Sequence, residues 1–332
     1  MLFSLIIPVY NRPDEIDELL ASLSAASFQN PFEVVVVEDG SSIPCEHIIE
    51  AYRGKLDISY YFKLNSGPGD SRNFGMQKAK GDYFLIFDSD CIIPTQYLDE
   101  VAKALHENYV DCFGGPDQAL DSFSDVQKAI NFGMTSFLTT GGIRGGSEKV
   151  NKFQPRSFNM GLSKKAFLSS GGFGDIHPGE DPDLSIRLWK SGFTTRLFPN
   201  AYVYHKRRID WAKFYKQVNK FGKARPILNS WYPEYAKPTF FFPSLFLLGM
   251  VFSVGMAVFG IYFFVACYGL YFLLLLTVAT FGNKSLKIGL LSVVAVCIQF
   301  YGYGIGFLKS FLLVQWLGKD PKKVFPELFF KA

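Results

Sequence analysis

Between Lys237 and Lys284 the chain carries no charged residue and reads PTFFFPSLFLLGMVFSVGMAVFGIYFFVACYGLYFLLLLTVATFGN. A bilayer crossing takes about 20 apolar residues, so this length predicts two spans with a turn near Gly260. A third candidate runs from Ile288 to Leu308. A large buried helical core is the other reading, but so long an uninterrupted apolar stretch would have to bury every face. At 48% hydrophobic over 332 residues, there is room for one large domain ahead of such a region. Lys206, Arg207, Arg208, Lys213, Lys216, Lys220 and Lys223 favour the cytoplasmic side before the first span. Three spans would then leave Lys319, Lys322 and Lys323 on the far side, against that tendency. Either one segment is interfacial or re-entrant, or the loop charges are overruled; the aromatic, Lys-flanked tail from Ser310 to Phe330 suits a membrane surface.

The formal net charge of +4 is too small to argue for nucleic acid and is compatible with membrane lipids. Five cysteines, odd in number and scattered, show no CxxC or Cys/His metal spacing, which suits a reduced compartment. The opening MLFSLIIPVYNRPDE has too short an apolar run, no basic stretch and no cleavage site for a signal peptide. It reads as a first strand, so the expected placement is multi-pass in the inner (cytoplasmic) membrane with the N-terminal domain in the cytoplasm.

Before residue 238 short apolar runs alternate with helical patterns, which predicts an α/β domain with a mostly parallel, Rossmann-like sheet. Strands are expected at Phe3–Val9, Glu33–Val37, Ile58–Phe62 and Tyr83–Phe87, and helices at Asp14–Ala26, Glu46–Tyr52 and Ser71–Ala79. Open sheets of this kind bind ligands beyond the carboxyl ends of their strands. Polar residues follow three of the four: Tyr10-Asn11-Arg12, Glu38-Asp39-Gly40-Ser41 and Asp88-Ser89-Asp90. Gly141–Ser147 (GGIRGGS) is the one stretch that reads as a flexible loop or lid.

In YFLIFDSD, Asp88 and Asp90 are two apart at a strand end and face the same side. Two such carboxylates repel unless a cation lies between them, and Mg²⁺ or Mn²⁺ commonly joins carboxylates to substrate phosphates. A solvated acidic loop is the plain alternative. Gly67-Pro68-Gly69-Asp70-Ser71-Arg72-Asn73 opens a helix whose N-terminal N–H groups favour anions, or is simply capped by Asp70 or Ser71. Asp181 before Pro182 is either a reactive carboxylate or an N-cap for DLSIRLWKSG.

Together SLIIPVYNR, VVVVEDGS, GPGDSRNFGMQKAKGDYFLIFDSD, FNMGLSKKAFLSSGGF and GEDPDLSIRLWKSGF resemble, in order and over about residues 3 to 205, the family 2 glycosyltransferases, inverting enzymes with the GT-A fold. The resemblance implies residues 1–238 as catalytic domain; the apolar run and its lysine-flanked end mark 239–318 as a membrane region of two or three helices and 319–332 as a basic, aromatic tail. Pro8, Tyr10 and Arg12 then wall the nucleotide base and Asp39 accepts from its edge. Glu38 replaces the first of the two Asp that the family often carries. Gly67, Arg72, Asp88 and Ser89 meet the donor's nucleotide and phosphates. The metal, Mg²⁺ or Mn²⁺, is expected on Asp88 and Asp90, with His205 as a further ligand or a surface residue beside Lys206-Arg207-Arg208. Asp181 becomes the general base on the acceptor hydroxyl, with Glu180 as the alternative if Asp181 caps the helix. Asn159, Met160 and Gly172 lie on the acceptor side.

The expected substrates are a nucleotide-sugar, UDP-linked by preference, and a lipid-linked or other glycan acceptor. Processive relatives carry Gln-x-x-Arg-Trp before their membrane helices. Gln217-Val218-Asn219-Lys220-Phe221 only echoes it, since Lys lacks the planar fork of Arg and Phe the indole N–H. This favours a single addition over a processive polysaccharide synthase. A nucleotidyltransferase would place its Gly-rich loop where Asn11-Arg12-Pro13 stands, and a tethered binding protein without catalysis would not need Asp88, Asp90, Asp181 and Arg72 together.

Overall fold

The computed structural model describes residues 1–118, 120, 122–140, 152–206 and 210–330. The glycine-rich stretch read as a lid lies outside them. The strands are β1 (Phe3–Val9), β2 (Phe32–Asp39), β3 (Asp57–Lys63), β4 (Tyr83–Phe87), β5 (Cys91–Ile92), β6 (Cys112–Gly114), β7 (Asp117–Gln118), β8 (Asn159–Ser163), β9 (Thr195–Leu197) and β10 (Val203–His205). The helices are α1 (Pro13–Ser24), α2 (Glu46–Tyr52), α3 (Pro68–Lys78), α4 (Tyr97–Glu107), α5 (Asp125–Thr135), α6 (Phe137–Thr140), α7 (Lys164–Ser170), α8 (Glu180–Lys190), α9 (Trp211–Trp231), α10 (Phe242–Val258), α11 (Phe263–Asn283), α12 (Leu286–Ser310) and α13 (Pro321–Val324). Two compact units divide them: one holds residues 1–118, the described part of 146–206 and the last residues from Phe329, and the other holds the rest.

In the first unit a seven-stranded sheet runs β3-β2-β1-β4-β8-β6-β9. The β1–β2, β2–β3 and β1–β4 pairs are parallel, while β8 runs antiparallel to both β4 and β6. The chain therefore moves outward from β1 to β3 and returns to the other side of β1 as β4. That reversal opens a crevice at the carboxyl ends of β1 and β4, the usual ligand position in open α/β sheets.

Alternation along the strands explains why helices cover both faces. Leu5, Ile7, Val34, Val36, Leu85 and Phe87 meet Ile16, Leu19 and Leu20 of α1 and Leu98 and Val101 of α4. Ile6, Val35, Val37, Phe84 and Ile86 meet Met76 of α3, Phe167 of α7 and Leu184 and Leu188 of α8. Each such buried side chain contributes about 1.5–3 kcal/mol of transfer free energy. Gly75 of α3 lies so near the sheet that a Cβ would stand 2.7 Å from Ile6 Cγ2. The first four strands and the first three helices agree with the sequence expectation to within a few residues at each end. A second, three-stranded sheet, β5-β10-β7, brings His205 back beside the end of β4.

In the second unit three helices are long and apolar enough to cross a membrane, Pro238–Val258, Phe263–Asn283 and Leu286–Trp316. This is the pattern of a membrane-associated protein. The expected turn falls at Gly260, whose φ is +80°. The third helix is longer than Ile288–Leu308 because it continues past Ser310 as a π-helical segment to Trp316. Its glycines let neighbouring backbones approach: a Cβ on Gly302 would stand 2.6 Å from Val218, and one on Gly306 2.4 Å from the Asn219 carbonyl. The Gln217–Phe221 stretch thus sits on the face of α9 that meets α12, with Asn219 donating to the Gly302 carbonyl at 3.0 Å.

Candidate active site

The site is built from four loops at the carboxyl edge of the sheet. After β1, Asn11 takes a left-handed conformation with φ +52°, tolerated by Asn more than by most residues. Its side-chain oxygen accepts from Ser42 N (2.8 Å) and Ile43 N (3.1 Å), and its own N–H donates to Ser41 Oγ at 2.7 Å. This pins the β1 and β2 loops together and delivers Arg12 to Asp90, with Nη1 2.5 Å from Oδ2. Tyr10 is exposed and Pro8 half-buried at the same edge.

At the end of β2 the two acids separate. Glu38 is fully buried and accepts from Ser41 Oγ, from Cys45 N at 2.8 Å and from Tyr60 OH at 3.3 Å. It braces the loop. Asp39 accepts from Lys63 Nζ (2.6 Å), Ser66 N (3.0 Å) and Gly67 N (2.9 Å), so it shapes the turn that opens α3. Gly67 is required there, since its φ is +95°.

Arg72, on the first turns of α3, is buried and joins two acidic loops. Its Nη2 donates to Asp88 Oδ1 at 2.7 Å and its Nη1 lies 3.4 Å from Glu180 Oε1, with the guanidinium 5.2 Å from the centre of the Phe173 ring. Burial alone would lower its pKa, but Asp88, Glu180 and Asp181 raise it instead. Its Nε is buried without a hydrogen bond among the described residues.

Ser89 and Asp90 are buried after β4. Burial pushes the Asp90 carboxyl upward, yet His205 and Arg12 more than reverse this and hold it below the usual carboxylate range. Asp90 Oδ1 lies 3.1 Å from His205 Nε2, which pairs with it. An ionised carboxylate oxygen and an imidazole nitrogen thus converge, with Cys91 as a third group whose donor atom is within 4.8 Å of both. Carboxylate plus imidazole is a donor set that fits Mn²⁺, or Mg²⁺ through the carboxylate. Asp88, by contrast, is engaged by Arg72 and stands outside this group.

At α8 the helix begins at Glu180, one residue before Asp181, with Gly179 as N-cap at φ +133°. Asp181 therefore does not cap. Glu180 accepts from Gly179 N at 2.9 Å and pairs with His177 Nδ1 at 2.8 Å. Burial opposes its ionisation, but His177 and Arg72 bring its carboxyl down to about 2. Asp181 behaves oppositely. Burial and the neighbouring Glu180 push it up to about 6, against the smaller opposing pull of Arg72, Arg156 and Ser157, and its Oδ1 has no hydrogen bond among the described residues.

On the side expected to face an acceptor, Asn159 is buried and saturated: it accepts from Tyr97 OH at 2.6 Å and donates to the Ala201 carbonyl at 2.8 Å. Met160 is in the core. Gly172, at φ +76°, makes room for Asn73, whose Oδ1 would meet a Cβ at 2.2 Å. These three residues hold the framework. Lys63, Cys91 and His177 belong to the site and were not singled out from the sequence, where Asn11 was read only as a polar residue after β1. Only His177, three residues before Glu180, offered a spacing signal. A cavity of about 180 Å³ lies beside this region, lined by residues including Asp70, Asn73, Phe173, Ile176, His177 and Phe330.

The chain is similar to several known proteins. TarS of Staphylococcus aureus, a poly(ribitol-phosphate) beta-N-acetylglucosaminyltransferase, is 40% identical over 114 residues, covering 33% of this chain and 20% of TarS. The hyaluronan synthase of Pasteurella multocida is 26% identical over 238 residues, 61% of this chain and 24% of that protein. The chain thus spans about a fifth to a quarter of these curated relatives. Among solved structures, the mannosyltransferase PcManGT of Pyrobaculum calidifontis, in complex with GDP-Man and Mn²⁺, has a TM-score of 0.57 at 15% identity over 96% of this chain and 88% of its own. TarS residues 1–349 in complex with UDP-GlcNAc give 0.50 at 19% identity over 96% and 93%. Both share the GT-A fold with this chain. The description Glycosyl transferase family 2 matches residues 4–170, half of the sequence, and the chain belongs to that family.

Proposed function

We propose that the chain is an inverting glycosyltransferase that moves a sugar from a nucleotide-sugar, UDP-linked by preference, to a hydroxyl of a lipid-linked or cell-surface glycan acceptor. The observation that carries this reading is the state of Asp181: a carboxyl raised to about 6, with one oxygen unpartnered. A general base works best when its pKa lies near the working pH. Glu180, held near 2 and fully engaged, is the weaker candidate. The acceptor hydroxyl gives its proton to Asp181 as its oxygen attacks the anomeric carbon, and the nucleoside diphosphate departs from the opposite face, so the centre inverts.

Arg72 ties the base-bearing helix to the loop after β4, so donor and base are held by one buried cation. Asp90 and His205 are the residues that would hold the metal; Mg²⁺ or Mn²⁺ there supplies positive charge for the leaving diphosphate. Binding of UDP-GlcNAc and of GDP-Man by the structural neighbours supports a nucleotide-sugar donor. The apolar helices support a membrane-borne acceptor reached from the cytoplasmic face, and the absence of Arg-Trp at Lys220-Phe221 supports one addition per encounter.

The test is a panel of UDP-, GDP- and dTDP-sugars, screened first for thermal stabilisation of the full chain with Mn²⁺ and then for transfer or hydrolysis. Turnover that survives both Asp181→Asn and Asp90→Ala would falsify the mechanism.

A further inference from the structure

We infer that the aromatic pair Phe329-Phe330 is a clasp that seats His177 on Glu180, making His177 a positioning residue for the base-bearing turn of α8. This rests on Asp181 being the base. Phe329 forms an antiparallel bridge with Ile176, and Phe330 N donates to the Asp175 carbonyl at 3.1 Å. A segment from the far end of the sequence is thereby bridged to the loop that leads into α8.

The Phe330 ring then does two things. It lies against the backbone of Gly67, where a Cβ would meet the ring at 2.4 Å, and it packs on the His177 imidazole with centroids 5.8 Å apart. The side chain of His177 is 38% exposed, and the ring covers part of the face it would otherwise turn to water. Held there, its Nδ1 meets Glu180 Oε1, and Glu180 meets Arg72, which reaches Asp88. The clasp thus connects the donor loop, the acidic turn and the loop after β4 within one unit.

The groups around the acidic pair show what the seat controls. Glu180 faces His177, Arg72 and the Gly179 N–H; Asp181 faces Glu180, Arg72, Arg156 and Ser157, with Cys112 of β6 nearby. Glu180 carries the negative charge that raises Asp181. Withdrawing His177 leaves that charge less compensated, so Asp181 is raised further.

The experiment is the pH profile of kcat/KM for the full chain with the donor it turns over. His177→Ala and Phe330→Ala should each move the acid limb upward by about half a pH unit or more. The double variant should move it no further than His177→Ala alone, Phe330→Tyr should restore most of the original limb, and His177→Gln, which carries no positive charge, should leave it shifted. A uniform fall in rate at every pH with the acid limb unmoved overturns the clasp, as does full additivity in the double variant. Asp181→Asn separates the two ideas. If the full chain turns over its donor and Asp181→Asn removes the limb, an unmoved limb in the other variants counts against the clasp alone. If no donor is turned over, the parent reading falls and takes this inference with it.

Discussion

The two acidic turns of the site, Asp88-Ser89-Asp90 after β4 and Glu180-Asp181 at the start of α8, contain the same chemistry and end in different states. After β4 each carboxylate has its own cation: Asp88 the Arg72 guanidinium, and Asp90 Arg12, with His205 against its second oxygen. At α8 the cations are shared unequally, because His177 and the second arm of Arg72 both go to Glu180. Asp181 is left beside an ionised neighbour and rises to about 6. Neighbours, more than residue type, decide which carboxylate holds charge and which moves a proton.

The largest effect follows from that contrast. Asp181→Asn should lower kcat by about 10²–10⁴-fold while leaving nucleotide binding nearly intact, because among the described residues Asp181 forms no ion pair with the loops after β1, β2 or β4. Glu180→Gln should cost less in rate than Asp181→Asn; the reverse order, measured at saturating donor, would exchange the roles of the two. In the unaltered chain kcat/KM should rise with pH through about 6 and then level, since the base must be deprotonated to act.

The turn after β4 makes a different prediction. Asp90→Ala removes an oxygen donor and strands Arg12, whereas His205→Ala removes one nitrogen donor and leaves the Arg12 pair. Mn²⁺-dependent stabilisation of UDP binding should vanish in the first and weaken about 10–100-fold in the second, by analogy with losses around bound metals. Calorimetry of UDP with and without Mn²⁺ reads both. Equal Mn²⁺ response in the unaltered chain and in Asp90→Ala would remove the carboxylate from any metal role.

Much of this was legible before the structure. The strands announced themselves because a fully buried parallel strand must be almost continuously apolar, as in Phe3–Val9 and Tyr83–Phe87, and a charge-free run such as 238–283 has few soluble solutions. What could not be read was how the strand ends share their hydrogen bonds. Glu38 and Asp39 are adjacent letters, yet one braces its own loop and the other shapes the opening of α3. The Asp181-Pro182 pair looked like a cap and first turn, but Gly179, able to take φ +133°, starts the helix earlier and frees Asp181. The bond from His177 to Glu180 spans three residues, but the Phe330 ring that packs on that imidazole comes from far away in sequence.

The smallest effect is in stability, and here the neighbours should differ in sign. Glu180 titrates near 2 in the folded state, below its ordinary value, so it contributes stability that is present above about pH 4.5 and is lost as pH falls toward 2. Glu180→Gln should therefore melt lower than the parent at pH 7 and lose that deficit as pH falls toward 2. Asp181 titrates near 6, above its ordinary value. Its ionisation opposes folding, a cost that builds as pH rises from about 4 to 6 and persists above. Asp181→Asn should then raise the melting temperature at pH 7.5, by the equivalent of about 1–3 kcal/mol, and leave it unchanged near pH 4. Melting curves of both variants at the two pH values decide the matter. If Asp181→Asn melts lower than the parent at pH 7.5, the carboxylate is stabilised by its surroundings, and the asymmetry between the two turns disappears.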